Sequence, residues 1–395
     1  MSNYSDLKLV WQSEISAIAG YGLQARRMLK PLIDGGADIK IIPDEDYLPD
    51  YMKINDPFWK AHIELSKQKP DYPLRVCWCL PPRARPDPKA KNIFYAQWET
   101  TEYPKEWVSI INSKANAFCV GCDSLIKSAK TANIAVPIYS LPSTVDTTTW
   151  CPEGPILNIN EIGSDIVKFL FIGNFIPRKN LEELIHGFSV AFQGQKDVCL
   201  IIKTWASANT AESKNHIISA LGHMKNKLTG IEKPKISIIT DLLDEISIIK
   251  LVRGCHIYTN VSKGEGFDLP LTQAMAMEKL IVATRFLAHE DYLNDTNSLD
   301  VKYRLVPCIE ASAPLYDSYQ YWSRPDMYDY ITKLREAYSL VRNGKAKALG
   351  ANARNTIIEK YSVERNTKHL ADTLRTIRDN NEQKISQQAI IKKLA

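Results

Sequence analysis

The sequence lacks the segments that direct a chain out of the cell or into a membrane. The opening MSNYSDLKLVWQSEISA has no basic region followed by an apolar run, and about 18 consecutive apolar residues occur nowhere. Low-complexity tracts and repeats of fixed period are also missing. We therefore expect a folded cytoplasmic protein, and its 395 residues exceed one ordinary hydrophobic core and predict two domains.

The eight cysteines do not follow the spacing of a metal site. The close pairs Cys77/Cys79 and Cys119/Cys122 have neither a second pair nor a His-x-x-x-His partner that would complete a zinc site. We interpret them as reduced thiols of the core.

The excess of positive over negative charge is small and unevenly distributed along the chain. The net charge is +5, but residues 1–155 hold 18 basic and 18 acidic residues, so the first part of the chain is neutral. This balance gives little support to generic polyanion binding. Two basic clusters remain, the C-terminal IIKKLA and a proline-rich loop with Arg83, Arg85, Lys89 and Lys91. We interpret them as solvated faces, with docking on an anionic membrane as the alternative.

Apolar runs of strand length alternate with segments of helical period along the whole chain. The first series is LKLVW, ADIKIIP, LRVCWCL, NIFYAQW, AFCVG and PIYSLP, and the second is VKFLFIGNF, VCLIIKTW, ISIIT, CHIYTNV and KLIVAT. This alternation is typical of α/β proteins with parallel sheets and crossover helices. It predicts doubly wound domains over residues 1–155 and 156–350, followed by a helical segment over 351–395 that could pack on either.

In open parallel sheets, ligands bind beyond the carboxyl ends of the strands. Two candidate clusters of the first domain follow predicted strands. Gly20, Tyr21 and Gly22 precede a helix, and the glycines would let backbone N–H groups approach a phosphate or sugar, although a plain tight turn explains them equally well. Trp98 and Glu99 follow the strand NIFYA and predict an acceptor-side surface, with Glu99 the stronger candidate and Trp98 a competing core residue.

The segment FLFIGNFIPRKNLEELI of the second domain places two cations between a strand and a helix. Asn174 ends the strand, and Arg178 and Lys179 precede the helix. A cation at this point can neutralise a diphosphate as it leaves, which stabilises charge that develops in a transition state. We favour this role for Lys179 over an ordinary surface position, and we weigh the two evenly for Arg178.

The segment KGEGFDLPLTQAMAMEKLIVAT is the most informative in the chain. Glu265, flanked by glycines, would lie on a loop, and Gln273 would follow on a helix and face the same cleft. A carboxylate can accept two hydrogen bonds from sugar hydroxyls, and the loop N–H groups of residues 267–269 can hold a phosphate. The competing interpretation is an exposed loop acid and an ordinary helix-surface amide.

These two segments resemble glycosyltransferase family 4. FLFIGNFIPRKN is similar to the family's Gly-Arg and Arg-Lys-Gly segment, and KGEGFDLPLTQAMA is similar to its E-G-F-G-L-P-x-x-E-A-M-A signature. WETTEYPKEWVSIINSKANAFCVGCDSLIKSA and SLPSTVDTTTW agree more loosely with the first domain of these enzymes. The resemblance implies the GT-B fold, in which two Rossmann-like domains face each other across a cleft.

The resemblance also implies roles for particular residues. Lys179 would bind the donor diphosphate, Glu265 a hydroxyl of the donor sugar, and Gln273 the nucleotide ribose. Glu99 lies where relatives carry a catalytic-site residue on the acceptor side, and with Lys179 and Glu265 it completes the implied catalytic set. The implied donor-binding set is Gly20, Gly22, Asn174, Arg178, Lys179, Glu265, Gly266, Phe267, Asp268, Leu269 and Gln273, and the acceptor-side set is Tyr21, Trp98 and Glu99.

Three residues depart from the family pattern. Asn174 stands where relatives carry a phosphate-binding Arg, which leaves Arg178 as a substitute. Gln273 replaces the second Glu of the signature, so the contact with ribose becomes a neutral amide contact. Asp268 replaces a glycine and brings a negative charge toward the expected diphosphate. The site is modified, but Lys179 and Glu265 are both retained.

The resemblance implies a retaining glycosyltransferase that moves a hexose or pentose from a nucleotide-diphosphate sugar, with UDP as the expected nucleotide. Neither a cofactor nor a metal ion is expected, which agrees with the lack of an Asp-x-Asp motif at a strand end. The acceptor is left open among a surface glycan, a lipid-linked glycan and a hydroxymethylated DNA base. The corresponding location is the cytosol of a bacterium or of a phage-infected host.

Two rival functions remain at this stage. The altered residues Asn174 and Gln273 would suit a non-catalytic subunit that binds a sugar nucleotide, and hydrolysis of the donor separates that subunit from an enzyme. A phosphorolytic enzyme like glycogen phosphorylase would share the fold, but the sequence has no evident pyridoxal-lysine context.

Overall fold

The computed structural model describes residues 3–18, 20–67, 71–159, 162–206, 208–309 and 315–394, with side chains described up to residue 380. Ala19, which borders the glycine cluster of the first domain, lies outside the described residues, and so do the side chains of the basic C-terminal segment. Within this part of the chain, no helix is both long and apolar enough to span a membrane.

The chain divides into two compact units. The first unit comprises Met1–Trp98, Glu102–Thr144 and Lys360–Ala395, and the second comprises Glu99–Thr101 and Val145–Glu359. The C-terminal segment therefore belongs to the first unit from residue 360 onward. The three residues Glu99–Thr101 belong to the second unit, although residues of the first unit precede and follow them in sequence.

The first unit contains a six-stranded parallel sheet in the order β2-β1-β3-β4-β5-β6. Its strands are β1 (Lys8–Ser13), β2 (Asp38–Pro43), β3 (Leu74–Trp78), β4 (Lys91–Tyr95), β5 (Ala117–Val120) and β6 (Ile138–Ser140). The helices are α1 (Gly20–Asp34), α2 (Pro57–Leu65), α3 (Lys105–Lys114) and α4 (Ser124–Thr131). Each parallel neighbour requires a crossover, which the helices supply.

The last helix of the chain completes the core of the first unit. Helix α11 (Val363–Leu394) buries Leu370, Leu374 and Ile377 in the same apolar cluster as Leu9 and Trp11 of β1. Lys91 at the start of β4 donates to the carbonyl oxygens of Ile377 and Arg378. The predicted helical segment thus packs on this unit because its apolar face fits the sheet.

The second unit contains another six-stranded parallel sheet, in the order β12-β11-β10-β7-β8-β9. Its strands are β7 (Val167–Asn174), β8 (Val198–Trp205), β9 (Lys235–Ile239), β10 (Ile257–Asn260), β11 (Leu280–Thr284) and β12 (Leu299–Val301). The helices are α5 (Leu181–Ala191), α6 (Ala211–Asn226), α7 (Glu245–Arg253), α8 (Leu269–Ala276) and α9 (Met327–Arg342), and α10 (Ala346–Tyr361) follows. An antiparallel pair, β13 (Tyr303–Pro307) and β14 (Tyr321–Pro325), stands apart from the main sheet.

The predicted α/β fold with two parallel sheets is confirmed, and each apolar run named in the sequence forms a strand. The sequence did not predict β12 or the pair β13–β14, which are short or polar. The glycine cluster also differs from its prediction. Gly20 and Gly22 lie inside the first turn of α1, and the turns that connect β1 to this helix lie earlier, within residues 14–18.

Candidate active site

The candidate site lies at the carboxyl edge of the sheet in the second unit. Strand β7 ends at Asn174, and a short 3-10 helix, Pro177–Lys179, leads into α5. Strand β10 ends at Asn260, and the loop 261–268 leads into α8. Two adjacent strands therefore deliver two loops and two helix N-termini to one edge, where backbone N–H groups favour an anion.

Four side chains form a connected ion-pair cluster at this edge. Lys179 Nζ lies 2.6 Å from Glu265 Oε1, and Arg178 Nη1 lies 3.1 Å from Glu265 Oε2. Arg178 Nη2 lies 3.2 Å from Glu99 Oε1, and Nη1 also donates to the carbonyl oxygen of Gly264. Lys179 and Glu265 are buried. The structure thus brings together the three predicted catalytic residues and Arg178.

Burial and charge oppose each other in this cluster. Burial raises the pKa of Glu265, but the positive charges of Lys179 and Arg178 outweigh it and hold that pKa well below its usual range. Burial lowers the pKa of Arg178, whereas the carboxylates of Glu99 and Glu265 raise it further than burial lowers it. Glu265 and Arg178 therefore keep their charges at neutral pH. The Arg178 Nε stays buried without a hydrogen-bond partner among the described residues.

The segment Glu99–Thr101 packs closely on the loop that carries Glu265. A Cβ atom added to Gly264 would lie 1.9 Å from the Glu99 carbonyl oxygen, so only glycine fits at this position. The Tyr316 hydroxyl donates to Glu99 Oε2 at 3.3 Å, and the Thr100 hydroxyl donates to Gln320 Oε1 at 2.9 Å. Glu99 is therefore held by contacts within the second unit, which its place in the sequence did not predict.

Asp268 begins α8 and is engaged inside the protein. Its backbone has φ 62°, and its carboxylate accepts a hydrogen bond from the Leu271 N–H at 3.3 Å. The same carboxylate accepts from Asn260 Nδ2 at 2.6 Å and lies 3.0 Å from His289 Nε2. The negative charge that replaces the family's glycine is thus compensated locally, and it does not point as a free charge toward a diphosphate.

Both ring nitrogens of His289 face hydrogen-bond acceptors. Nδ1 lies 2.7 Å from the Thr284 carbonyl oxygen, and Nε2 faces the Asp268 carboxylate. Burial lowers the pKa of His289, but the hydrogen bond and the charge of Asp268 raise it more, so its pKa is above the ordinary value. No sequence motif encodes this pair, and the available signal was an acid at a position where the resemblance implies glycine.

The remaining predicted donor-binding residues surround the cluster. Asn174 is exposed at the end of β7, whereas Gln273 is buried on α8 and its side chain has no hydrogen bond to any described residue. The Phe267 carbonyl oxygen accepts from the Tyr292 hydroxyl at 2.5 Å, which fixes the loop. Gly266 belongs to this loop and Leu269 opens α8.

The predicted residues of the first unit serve its packing. Gly20 has φ +59°, and a Cβ atom at Gly22 would meet the Glu14 carbonyl oxygen at 2.3 Å. The Tyr21 hydroxyl accepts from the Gln97 N–H at 3.0 Å. Trp98 is buried with its ring centroid 4.8 Å from that of Trp107. The burial of Trp98 argues against the acceptor surface that its sequence position suggested.

The predicted basic loop of the first unit is largely compensated. Arg83 donates to both carboxylate oxygens of the buried Asp44, with Nε at 2.8 Å and Nη2 at 2.9 Å. Arg85 lies 3.5 Å from the same carboxylate. The guanidinium groups therefore do not form a free anion-binding surface.

Comparisons with known proteins agree with the fold. The family model described as glycosyl transferases group 1 matches residues 166–308, which span both loops of the candidate site. No curated protein sequence matches the chain.

The similar solved structures cover nearly the whole chain at low identity. Sucrose-phosphate synthase of Thermosynechococcus elongatus has a TM-score of 0.65 at 12% identity, covering 94% of this chain and 99% of that one. Trehalose 6-phosphate synthase of Burkholderia multivorans has a TM-score of 0.65 at 12% identity, covering 96% of this chain and 100% of that one. HepE of Anabaena, solved with UDP and glucose, has a TM-score of 0.61 at 11% identity, covering 94% of this chain and 100% of that one.

Together these findings define the class of the protein. The fold is the two-domain α/β fold of the GT-B glycosyltransferases. The match over residues 166–308 places a group 1 glycosyltransferase domain in the second unit and supports a transferase enzyme.

Proposed function

We propose that the protein is a retaining glycosyltransferase that uses a nucleotide-diphosphate sugar, as members of glycosyltransferase family 4 do. The observation that carries the proposal is the buried pair of Lys179 and Glu265 between the first turns of α5 and α8. In this proposal Lys179 turns to the donor diphosphate, and Glu265 accepts a hydrogen bond from a hydroxyl of the donor sugar. Gln273 contacts the ribose as a neutral amide.

The proposed reaction breaks the bond between the anomeric carbon and the diphosphate oxygen. Lys179 and the N–H groups of residues 266–269 stabilise the charge that develops on the departing diphosphate. The acceptor oxygen forms its bond to the anomeric carbon on the same face and passes its proton to the departing diphosphate oxygen, and Glu99 positions the reacting groups. The similarity to HepE solved with UDP-glucose supports UDP as the nucleotide. We expect the reaction to proceed without a metal ion.

A glycan or a lipid-linked glycan is the proposed acceptor, in preference to DNA. Contacts to a DNA backbone require several free lysines or arginines together. Arg83 and Arg85 lie in the loop that could have supplied such contacts. Both guanidinium groups pair with the Asp44 carboxylate, so they are not free to bind phosphates. Cytoplasmic location and contact with an anionic membrane remain predictions.

The test is a donor screen with purified protein and UDP-, GDP- and ADP-sugars, following nucleotide release. We expect release from one donor and a loss of at least about a hundredfold with Lys179→Met, because a transition-state charge contact is removed. The control is Lys196→Met, since Lys196 is exposed, pairs with Glu232 and lies before the first residue of β8, at the amino edge of the parallel sheet. Release that is equal in all three proteins would contradict the assigned site.

A binding subunit without activity is the second candidate. The exposed Asn174 favours it, since one cation of the family's phosphate site is missing. Binding of a nucleotide sugar without turnover under any acceptor or hydrolysis condition would establish this alternative and exclude the enzyme.

A further inference from the structure

Lys203 is a buried lysine without a charged partner. It lies in the otherwise apolar run VCLIIKTW of β8, with only 2% of its surface exposed. Among the residues that the structure describes, none forms an ion pair or a hydrogen bond with its ammonium group. Its Nζ lies over the Trp205 ring, 4.8 Å from the ring centroid.

An ammonium group in this setting is costly to keep charged. Burial lowers the pKa of Lys203 to about 8, the nearby Asp241 opposes this effect, and Lys214 adds to it. Asp241 is already paired with Lys214, whose Nζ lies 2.7 Å from its Oδ1. Unpaired buried charges destabilise a folded protein, so their presence calls for a ligand or a function.

The position of Lys203 relates it to the candidate site. Strands β7 and β8 pair in parallel, with Ile172 opposite Lys203 and Asn174 opposite Trp205. Because side chains alternate along a strand, Lys203, Trp205 and Asn174 share one face. A Cβ atom at Gly173, on the opposite face, would lie 3.3 Å from Lys179 Cδ. Lys179 and Lys203 thus flank the end of β7 from its two sides.

We propose that Lys203 supplies the second cation for the diphosphate of the donor, in place of the Arg that Asn174 replaces. This inference rests on the proposed function, because it assumes a nucleoside diphosphate at this edge. Arg178, the other candidate, is tied to Glu99, Glu265 and the Gly264 carbonyl oxygen. Lys203 forms no ion pair with any described residue, and the nearby Asp241 is paired with Lys214. A diphosphate that reaches Lys203 therefore gains a charge-assisted contact without breaking a pair of Lys203 that the described part of the chain contains.

The test is calorimetric titration of the full-length protein and of Lys203→Met with UDP and with uridine. We expect Lys203→Met to bind UDP about tenfold to a hundredfold more weakly, which corresponds to one charge-assisted hydrogen bond, and to bind uridine as wild type does. We also expect a higher melting temperature for this variant, because an unpaired buried charge is removed. The control is Lys347→Met, an exposed lysine of α10, which should change neither affinity.

The pH dependence of wild type gives a test that does not depend on a variant. The ammonium form of Lys203 is present below its pKa of about 8 and is lost above it. UDP affinity should therefore fall between about pH 7 and 9.5. The phosphate groups of UDP are already ionised over this range, so their titration does not cause the fall. Asp241 and Lys214 are the charged groups that influence Lys203, and Asp241 stays ionised over this range because Lys214 lowers its pKa.

The outcomes separate the two levels of the proposal. The role of Lys203 alone would be overturned by either of two results. Wild type and Lys203→Met could bind UDP equally, or the variant could bind uridine and UDP more weakly in the same proportion. No binding of UDP, GDP or ADP by wild type would overturn the proposed function itself.

Discussion

The two units carry similar buried ion-pair clusters at the carboxyl edges of their sheets, but the two clusters differ in what surrounds them. In the first unit, the buried Asp44 is paired with Arg83 and with Arg85, which is half exposed. In the second unit, Glu265 pairs with two cations that are themselves nearly buried.

This difference indicates which cluster is prepared for a ligand. The first cluster leaves its carboxylate satisfied by guanidinium groups that remain hydrated, so it needs no further partner. The second lies beside two helix N-termini and keeps Arg178 Nε without a partner among the described residues. A ligand with both hydroxyl and phosphate groups could replace the internal pairs of the second cluster. The cations would then bind the phosphates and the carboxylate would bind a hydroxyl of the same donor.

The largest expected effect comes from neutralising the two buried carboxylates separately. Glu265→Gln should lower nucleotide release by about a hundredfold or more, because it removes a charged contact to the donor. It also takes from Lys179 its carboxylate partner and leaves Arg178 paired with Glu99 alone. Asp44→Asn should lower the melting temperature and leave nucleotide release within about twofold. Steady-state kinetics and thermal unfolding of both variants check this, and equal kinetic losses would erase the distinction between the units.

An intermediate effect is expected from the loop contact of the second unit. Gly264→Ala should reduce activity about tenfold and cost about 1–3 kcal/mol of stability, because the new methyl group would overlap the Glu99 carbonyl oxygen. Gly222→Ala is the matched control, since no atom lies within 4 Å of its added Cβ in helix α6. Chemical denaturation and initial rates measure both. Normal activity of Gly264→Ala would show that the position of Glu99 does not matter.

The smallest effect concerns the pH dependence of stability. The pKa of His289 is raised by Asp268 above the 6.5 of an ordinary histidine, so the stabilisation is complete below about pH 6.5 and is lost as the pH rises through the folded-state pKa. His289→Gln should flatten this decline in the free energy of unfolding. Denaturation at several pH values from roughly 6 to 9 tests it, and an unchanged slope would mean that the imidazolium contributes nothing.

Most of the fold followed from local sequence, whereas the contacts of the site did not. The apolar strands and intervening helices were predictable because parallel strands buried on both faces give continuous apolar runs. Helix α1 begins earlier than predicted because Gly22 serves the close packing of its first turn and Gly20 opens that turn with φ +59°. Segment β13–β14 escaped prediction because its exposed strand lacks the apolar signal.

Within the site, the segments carrying Lys179 and Glu265 were recognisable, but the partners were not. Glu99 and Arg178 lie 79 residues apart and are joined only by the folded chain. Asp268 and His289 form a pair that no motif encodes. The burial of Lys203 was not predicted, because a lysine near the end of an apolar strand is usually a surface residue. Its position inside the apolar run of β8 was the feature that could have indicated burial.

The most direct test of the central claim is hydrogen–deuterium exchange of the full-length protein with and without saturating UDP. Binding at the carboxyl edge of the second sheet predicts slower exchange concentrated in residues 173–182 and 262–275. Slower exchange only around Asp44 and Arg83 in the first unit, or no change in either region despite calorimetric binding, would contradict the proposed donor site.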